Sequence, residues 1–304
     1  NVFMPVQALN KMRREVLEKL QDEILSGYRR NSSVPPTKEE ERAPEKADLE
    51  ERPEFTVFVQ TKQQFEMVLG KFKMYRKLSE RSYGIYLAAE SFDAQEWKKL
   101  ADRCHEVGVR CYLMMPRIFR KEAEQYFRKQ MELLTSAGFD ALGIGSMEEP
   151  GFLREAGIEL PMYFDQGMYS WNHLAGAAME RYGADRLTIP VELNEREIRD
   201  SGVQGEMIVY GYLPMMISAQ CIRKTTLGCS GKSEVMWLKD RKDMRFPVVN
   251  QCRFCYNTIY NSAPLSLLGL SEQVTGLKPN AVRLNFTVEE PAAACEILDA
   301  FFEE

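Results

Sequence analysis

Eight short runs of apolar, β-prone residues recur along the chain, and segments with helical periodicity fill most gaps between them. The runs are FTVFVQ (55–60), YGIYLAA (83–89), VRCYLMMP (109–116), FDALGIGS (139–146), LPMYFDQ (160–166), RLTIPVEL (186–193), EMIVYGYL (206–213) and AVRLNFTVE (281–289). Two intervening segments carry one-sided stripes: Trp97, Leu100, Ala101, Cys104 and Val107 in one, and Leu174, Ala177, Ala178 and Met179 in another. Near-continuous apolar strands alternating with amphipathic helices predict a parallel sheet covered on both faces. Eight such units predict a (β/α)8 TIM-like barrel over 55–304. An open doubly wound sheet is the alternative. No G-x-G-x-x-G or G-x-x-x-x-G-K-[ST] loop follows any of the runs, which counts against it.

The rhythm breaks once. Residues 214–280 separate the seventh run from the eighth, far more than a barrel helix and its loops need. Within this excursion SEVMWLKDRKDMRFPVVN reads as a β-hairpin turning at Asp240–Asp243. Loops after the C-terminal ends of barrel strands are where such enzymes place their chemistry. Ahead of the barrel, LNKMRREVLEKLQDEILS (9–26) reads as an amphipathic helix within an N-terminal segment, 1–30. Residues 31–54 are rich in proline and charge and poor in large apolar groups. They predict a flexible linker, because ordering them would bury too little apolar surface.

The excursion also collects thiols. Four of the seven cysteines lie between Cys221 and Cys255, spaced Cys221-x7-Cys229-x22-Cys252-x2-Cys255. A Cys-x-x-Cys pair can aim two thiolates at one metal, and two more thiolates complete a tetrahedral set. Structural zinc and a [4Fe–4S] cluster both accept four cysteines. Eight Lys and Arg against three Asp and Glu make this stretch locally positive, although the whole chain carries −5. That charge suits thiolates or an anionic substrate. Cys104, Cys111 and Cys295 fall on apolar faces and read as core residues.

No apolar run is long enough to span a bilayer. The first residues lack the apolar stretch of a secretory signal, so the expected compartment is the cytoplasm, where thiols stay reduced. The first residue is Asn, as in a piece of a longer chain.

The stretch EMIVYGYLPMMISAQC (206–221) resembles the signature of the U32 family, the collagenase-like peptidases: Glu-x-Phe-x-x-Gly-[Ser/Ala]-aliphatic-Cys-x4-Gly-x-Cys. Glu206, Gly211, Leu213 and Cys221 match it. Ile208, Tyr212, Pro214 and Ala219 depart from it, Pro214 replacing a cysteine. The run FDQGMYSWNHLAGAAMERYGADRLTIPVELNEREI is similar to the family's strand–helix–strand segment, with Asp165, Asn172, Gly183, Glu192 and Leu193 at its recurrent positions. FMPVQALNKMRREVLEKL resembles the segment that follows the first barrel in long U32 proteins, which implies that the chain is the C-terminal part of one and has an N-terminal remainder as its partner.

The resemblance implies several functions. The family name implies a peptidase. Some members are implicated instead in oxygen-independent hydroxylation of RNA bases or quinone precursors, and some hold a [4Fe–4S] cluster on four cysteines. Carried onto this chain, the ligands are Cys221, Cys229, Cys252 and Cys255, with RNA or a small molecule as substrate. Glu192 and Glu206, expected at the ends of strands six and seven, and Asp165, after strand five with Gln166, are the candidate acid, base and orienting groups at the barrel mouth. A peptidase would need a nucleophile and a base. The two histidines, His105 and His173, have no obvious nucleophile beside them, and no H-E-x-x-H occurs. A third reading is a zinc-stabilised module that binds RNA or protein through its basic excursion, with Phe254, Tyr256 and Tyr260 available to stack on bases. The oligomeric state is left open.

Overall fold

The computed structural model describes residues 4–28 and 52–304. The expected linker lies outside the described residues except for its last three positions, and Glu54, assigned to it, opens the first strand instead. The chain divides into two units. In the first, helix α1 (Val6–Tyr28) runs longer than the expected 9–26, and its apolar residues, among them Leu9, Val16, Leu20 and Ile24, are exposed.

In the second unit the expected rhythm is present as β1 (Glu54–Val59), β2 (Tyr83–Ala88), β3 (Arg110–Met114), β4 (Ala141–Ile144), β5 (Met162–Phe164), β6 (Arg186–Leu187) and β7 (Glu206–Gly211). Helices α2 (Lys62–Tyr75), α3 (Ala94–Glu106), α4 (Lys121–Lys129), α5 (Met131–Ser136), α6 (Glu148–Glu155), α7 (His173–Arg181) and α8 (Glu195–Ser201) connect them. After β7 come β8 (Pro214–Ser218), α9 (Ile222–Thr226), β9 (Val235–Lys239), β10 (Arg245–Gln251), β11 (Tyr256–Tyr260), β12 (Leu265–Ser266) and α10 (Ser271–Gly276). Strand β13 (Ala281–Asn285), the eighth stave, and α11 (Pro291–Glu303) end the fold.

The eight staves pair in parallel in the order β7-β13-β1-β2-β3-β4-β5-β6, with β12 antiparallel on β7. The seam between β6 and β7 is joined by a parallel bridge, Thr188 to Glu206, and by the Ile189 amide donating to the Glu206 carbonyl at 2.9 Å. The backbones come close there, and a Cβ on Gly205 would stand 2.4 Å from the Leu187 carbonyl oxygen. The sheet is therefore a (β/α)8 barrel.

Alternation along each strand sorts the two faces. Phe55, Val57 and Val59 of β1 face the helices, where Phe72 of α2 meets Phe55 edge-on. Trp97 of α3 is fully buried against Phe127 and Phe139. Helix α2 starts from a capping box in which Thr61 and Gln64 satisfy each other's amides. Cys104 and Cys111 are buried in this outer core, as expected, while Cys295 is half-buried on α11.

The excursion is larger than one hairpin. Strands β8, β11, β10 and β9 form a four-stranded antiparallel sheet in that order. The expected turn is present: the Asp240 carboxylate accepts the Lys242 and Met244 amides, and Asp243 takes a left-handed conformation, φ 65°. That hairpin, β9–β10, carries no cysteine. The Cys252–Cys255 pair occupies the next turn, between β10 and β11, where Gln251 pairs with Tyr256.

Candidate functional site

The barrel interior is lined by charge where aliphatic layers are the rule. Arg283, inward-facing on β13 and 2% exposed, pairs with Asp165 through Nη2 and with Glu206 through Nη1 at 2.8 Å. Glu206 also accepts the Thr56 hydroxyl at 2.7 Å. Toward the N-terminal ends of the strands, Glu54 binds Arg186 at 2.8 Å and the Tyr112 hydroxyl at 2.6 Å. Burial acts to raise the Asp165 carboxyl, but Arg283 and Arg117 outweigh it and hold the group below the usual carboxylate range. Burial also opposes the charge on Arg283, and Glu206 and Asp165 more than restore it. Charges this deep persist because each has a partner.

Above this network, at the C-terminal ends of the strands, lies a narrow cavity of about 50 Å³. Asp165, Arg117, Glu90 and Asn285 line it from the barrel, and Gln251, Tyr256 and Tyr260 line it from the excursion. Arg117 bonds Asp165 at 3.1 Å. Glu90 accepts the Tyr256 hydroxyl; burial pushes its carboxyl up, only partly countered by that bond. Burial pushes the Tyr260 hydroxyl up to about 12. Three oxygens on the cavity wall, Gln251 Oε1, Asn285 Oδ1 and Thr287 Oγ1, are buried without a partner among the described residues. Buried polar atoms are ordinarily satisfied, so these ask for a donor-bearing occupant or water.

The excursion is fastened over this mouth. The Arg253 guanidinium donates to the carbonyls of Ala89 at 2.8 Å and Phe92 at 2.6 Å and pairs with Asp93. Phe254 packs on Tyr126 and Phe127, and Gln60 donates to the Tyr260 hydroxyl at 2.9 Å. Phe254, Tyr256 and Tyr260 are thus buried and not available as base-stacking platforms.

The four thiols share one neighbourhood. Burial pushes the Cys252 thiol up, and Cys221, Cys229 and Cys255 each push it further. Cys221 caps α9, its sulfur accepting the Lys224 amide at 3.4 Å. Cys255 sits in a left-handed turn, φ 58°. Glu234 ties the Cys229 loop by binding Arg223 and Ser230. Among the described residues no three His, Cys, Asp or Glu side chains stand in a metal-holding arrangement. The thiols are neighbours, suited in type and number to a tetrathiolate centre, without being a preformed cage.

The sequence model of peptidase family U32 matches residues 76–290. The chain belongs to peptidase family U32. No curated protein matches this U32 chain significantly. Among solved structures it is similar to a putative fructose-1,6-bisphosphate aldolase from Coccidioides immitis (9% identity, 83% of this chain and 86% of that one, TM-score 0.45). It is likewise similar to thiamine phosphate pyrophosphorylase from Pyrococcus furiosus (10%, 83% and 95%, 0.44) and to a truncated 3-deoxy-D-arabino-heptulosonate 7-phosphate synthase from Thermotoga maritima (9%, 83% and 86%, 0.42).

Of the acid–base candidates in this U32 barrel, Asp165 is at the mouth, and Gln166 follows it, buried. Glu206 is not at the end of its strand. It opens β7, deep in the lumen, because its side chain is the counter-ion of Arg283. Glu192 lies in the exposed turn before α8 and does not line the cavity. His105 binds Asp140 at 2.9 Å and His173 opens α7, and neither lines the cavity. Arg283, Arg117 and Glu90 went unnoticed in the sequence. A lone arginine at an inward position of AVRLNF, and polar residues just past the ends of strands two and three, were the available signals.

Proposed function

We propose that this U32 domain holds a [4Fe–4S] cluster on Cys221, Cys229, Cys252 and Cys255 and works in oxygen-independent hydroxylation of a small polar molecule or a single extruded base. What supports the reading is that four cysteines, the number such a cluster takes, lie in one excursion that Arg253 fastens over the barrel mouth, with the other three near enough to act on Cys252. A bound cluster would supply electrons to that chemistry. The chain's own groups bind and orient. Arg117 offers a positive charge beside Asp165, and the unpartnered oxygens of Gln251, Asn285 and Thr287 accept donors from the substrate. Glu90, its carboxyl raised by burial, stands at the cavity wall as a proton-holding group. Tyr256 and Tyr260 close the mouth, which favours a substrate or base presented singly over a folded polymer.

Peptide hydrolysis, which the family name suggests, gains no support from the cavity, whose wall carries neither histidine.

Protein purified without oxygen tests the reading. Brown protein with about four irons per chain, reduced to background in Cys252→Ser, is expected. Colourless protein with about one zinc would replace it with the structural-zinc alternative. Four freely alkylated thiols with neither metal would end both.

A further inference from the structure

A second cavity lies at the other pole of the barrel. It has a volume of about 290 Å³ and sits on the outer wall, near the N-terminal ends of β1, β2 and β13. Phe55, Val209 and Val282 of the sheet form its floor, with Val274 of α10 and Phe301 of α11 beside them. Arg81 stands over this apolar surface, held in place from two sides. Its Nε donates to the Pro53 carbonyl at 2.7 Å, and its guanidinium lies 5.1 Å from the centre of the Phe55 ring.

This arginine has no counter-ion among the described residues. No carboxylate among them pairs with it, and the groups acting on it are Tyr83 and Arg52, the latter of like sign. Burial works most strongly against its charge, Tyr83 partly offsets this, and Arg52 adds to it. A guanidinium stays ionised regardless. Elsewhere in the barrel the buried Arg283 has two carboxylate partners and the half-buried Arg186 has Glu54. Glu304 reaches the rim, but its carboxylate is engaged by the Gly269 and Ser271 amides, both at 3.0 Å.

From this geometry we infer that the cavity is a binding site for a carboxylate with an apolar body, such as an aryl or medium-chain acid. The planar fork of Arg81, with Nε already fixed, matches a carboxylate in two-point contact. The floor of Phe55, Val209 and Val282 removes the apolar body from water. The site is on the opposite end of the barrel from the mouth, so the ligand would be a regulator or a carried molecule and not the substrate. The inference does not depend on the proposed cluster.

The test is a titration of the whole protein with octanoate, octanol and octylamine, read by calorimetry and by chemical shifts. Octanoate is expected to bind about tenfold or more tightly than the alcohol, with no measurable binding of the amine. Arg81→Ala should weaken octanoate about tenfold or more, and Thr275→Trp, which crowds the cavity but leaves Arg81, should do the same. Circular dichroism checks that both variants fold; should Arg81→Ala not fold, the three-ligand comparison and Thr275→Trp decide. Equal binding of all three compounds, no binding of octanoate, or unchanged affinity in both variants overturns the inference.

Discussion

Replacing Arg283 by Met tests whether the barrel is held open from inside by paired charge. The side chain is 2% exposed and serves two carboxylates that are themselves nearly inaccessible, Asp165 at 4% and Glu206 at 1%. Methionine has a similar reach but no charge, so the variant leaves both acids in the lumen with Arg117 as the nearest remaining cation to Asp165. Breaking a buried pair by removing one partner costs about 3–5 kcal/mol. For a domain of this size that corresponds to a fall in Tm of roughly 6–20 °C. The loss should also depend on pH. In the native protein Asp165 is held below its usual range, so it contributes stability above the unfolded carboxylate value and loses it as pH falls through the folded one. Without Arg283, burial dominates and the folded value rises above the unfolded one. The sign reverses, and the variant loses stability as pH rises. Urea melts followed by circular dichroism at about pH 5 and about pH 8 should give a penalty that grows with pH. A penalty below about 1 kcal/mol, or one constant across that range, would refute Arg283 as the shared counter-ion.

Three further outcomes are expected. Gly205→Ala puts a methyl group 2.4 Å from the Leu187 carbonyl oxygen at the barrel seam, so it should lower stability by about 1–3 kcal/mol and speed exchange of the Ile189 amide; an unchanged urea midpoint would contradict the close approach. Trp97→Ala empties a fully buried site against Phe127 and Phe139 and should cost about 3–5 kcal/mol in equilibrium unfolding. Glu90 is raised above its unfolded value, so its contribution to stability is present at low pH and lost as pH rises through the folded value. Glu90→Gln should therefore become more stable relative to the native protein between about pH 5 and pH 8, and a flat difference would argue against a raised carboxyl.

The staves were legible because burial on both faces leaves a run of apolar residues that no loop needs. All eight runs became strands, and the gap before the eighth marked the excursion. The ionic lumen was hidden by the same feature. Glu54, Thr56, Glu206 and Arg283 are single polar residues in or beside apolar runs, and pairing between positions so far apart in sequence leaves no local trace. Glu206 shows the cost of reading a strand without its register. As the first residue of β7 it points into the floor of the lumen, while Asp165, just past β5, rises to the mouth. In the excursion only β9–β10 was visible, because its Asp240–Asp243 turn is a local signal; β8 and β11 pair between residues as far apart in sequence as Ser218 and Asn257 or Pro214 and Tyr260. The thiols were legible by spacing alone, and their common neighbourhood required the fold.

The excursion leaves the barrel and returns to it almost at one point. Leu213 and Asn261 are joined by a hydrogen bond of 2.9 Å, and Tyr260 pairs with Pro214. Everything between them, including all four thiols of the proposed centre, is one loop of chain entering and leaving through a single doorway. Its chain ends meet at one place, but its side chains do not stop there: Arg253 holds the Ala89 and Phe92 carbonyls, and Phe254 and Tyr256 belong to the barrel's hydrophobic core. The ceiling of this barrel is thus joined to the staves in sequence at one doorway and held down in space by Arg253, Phe254 and Tyr256.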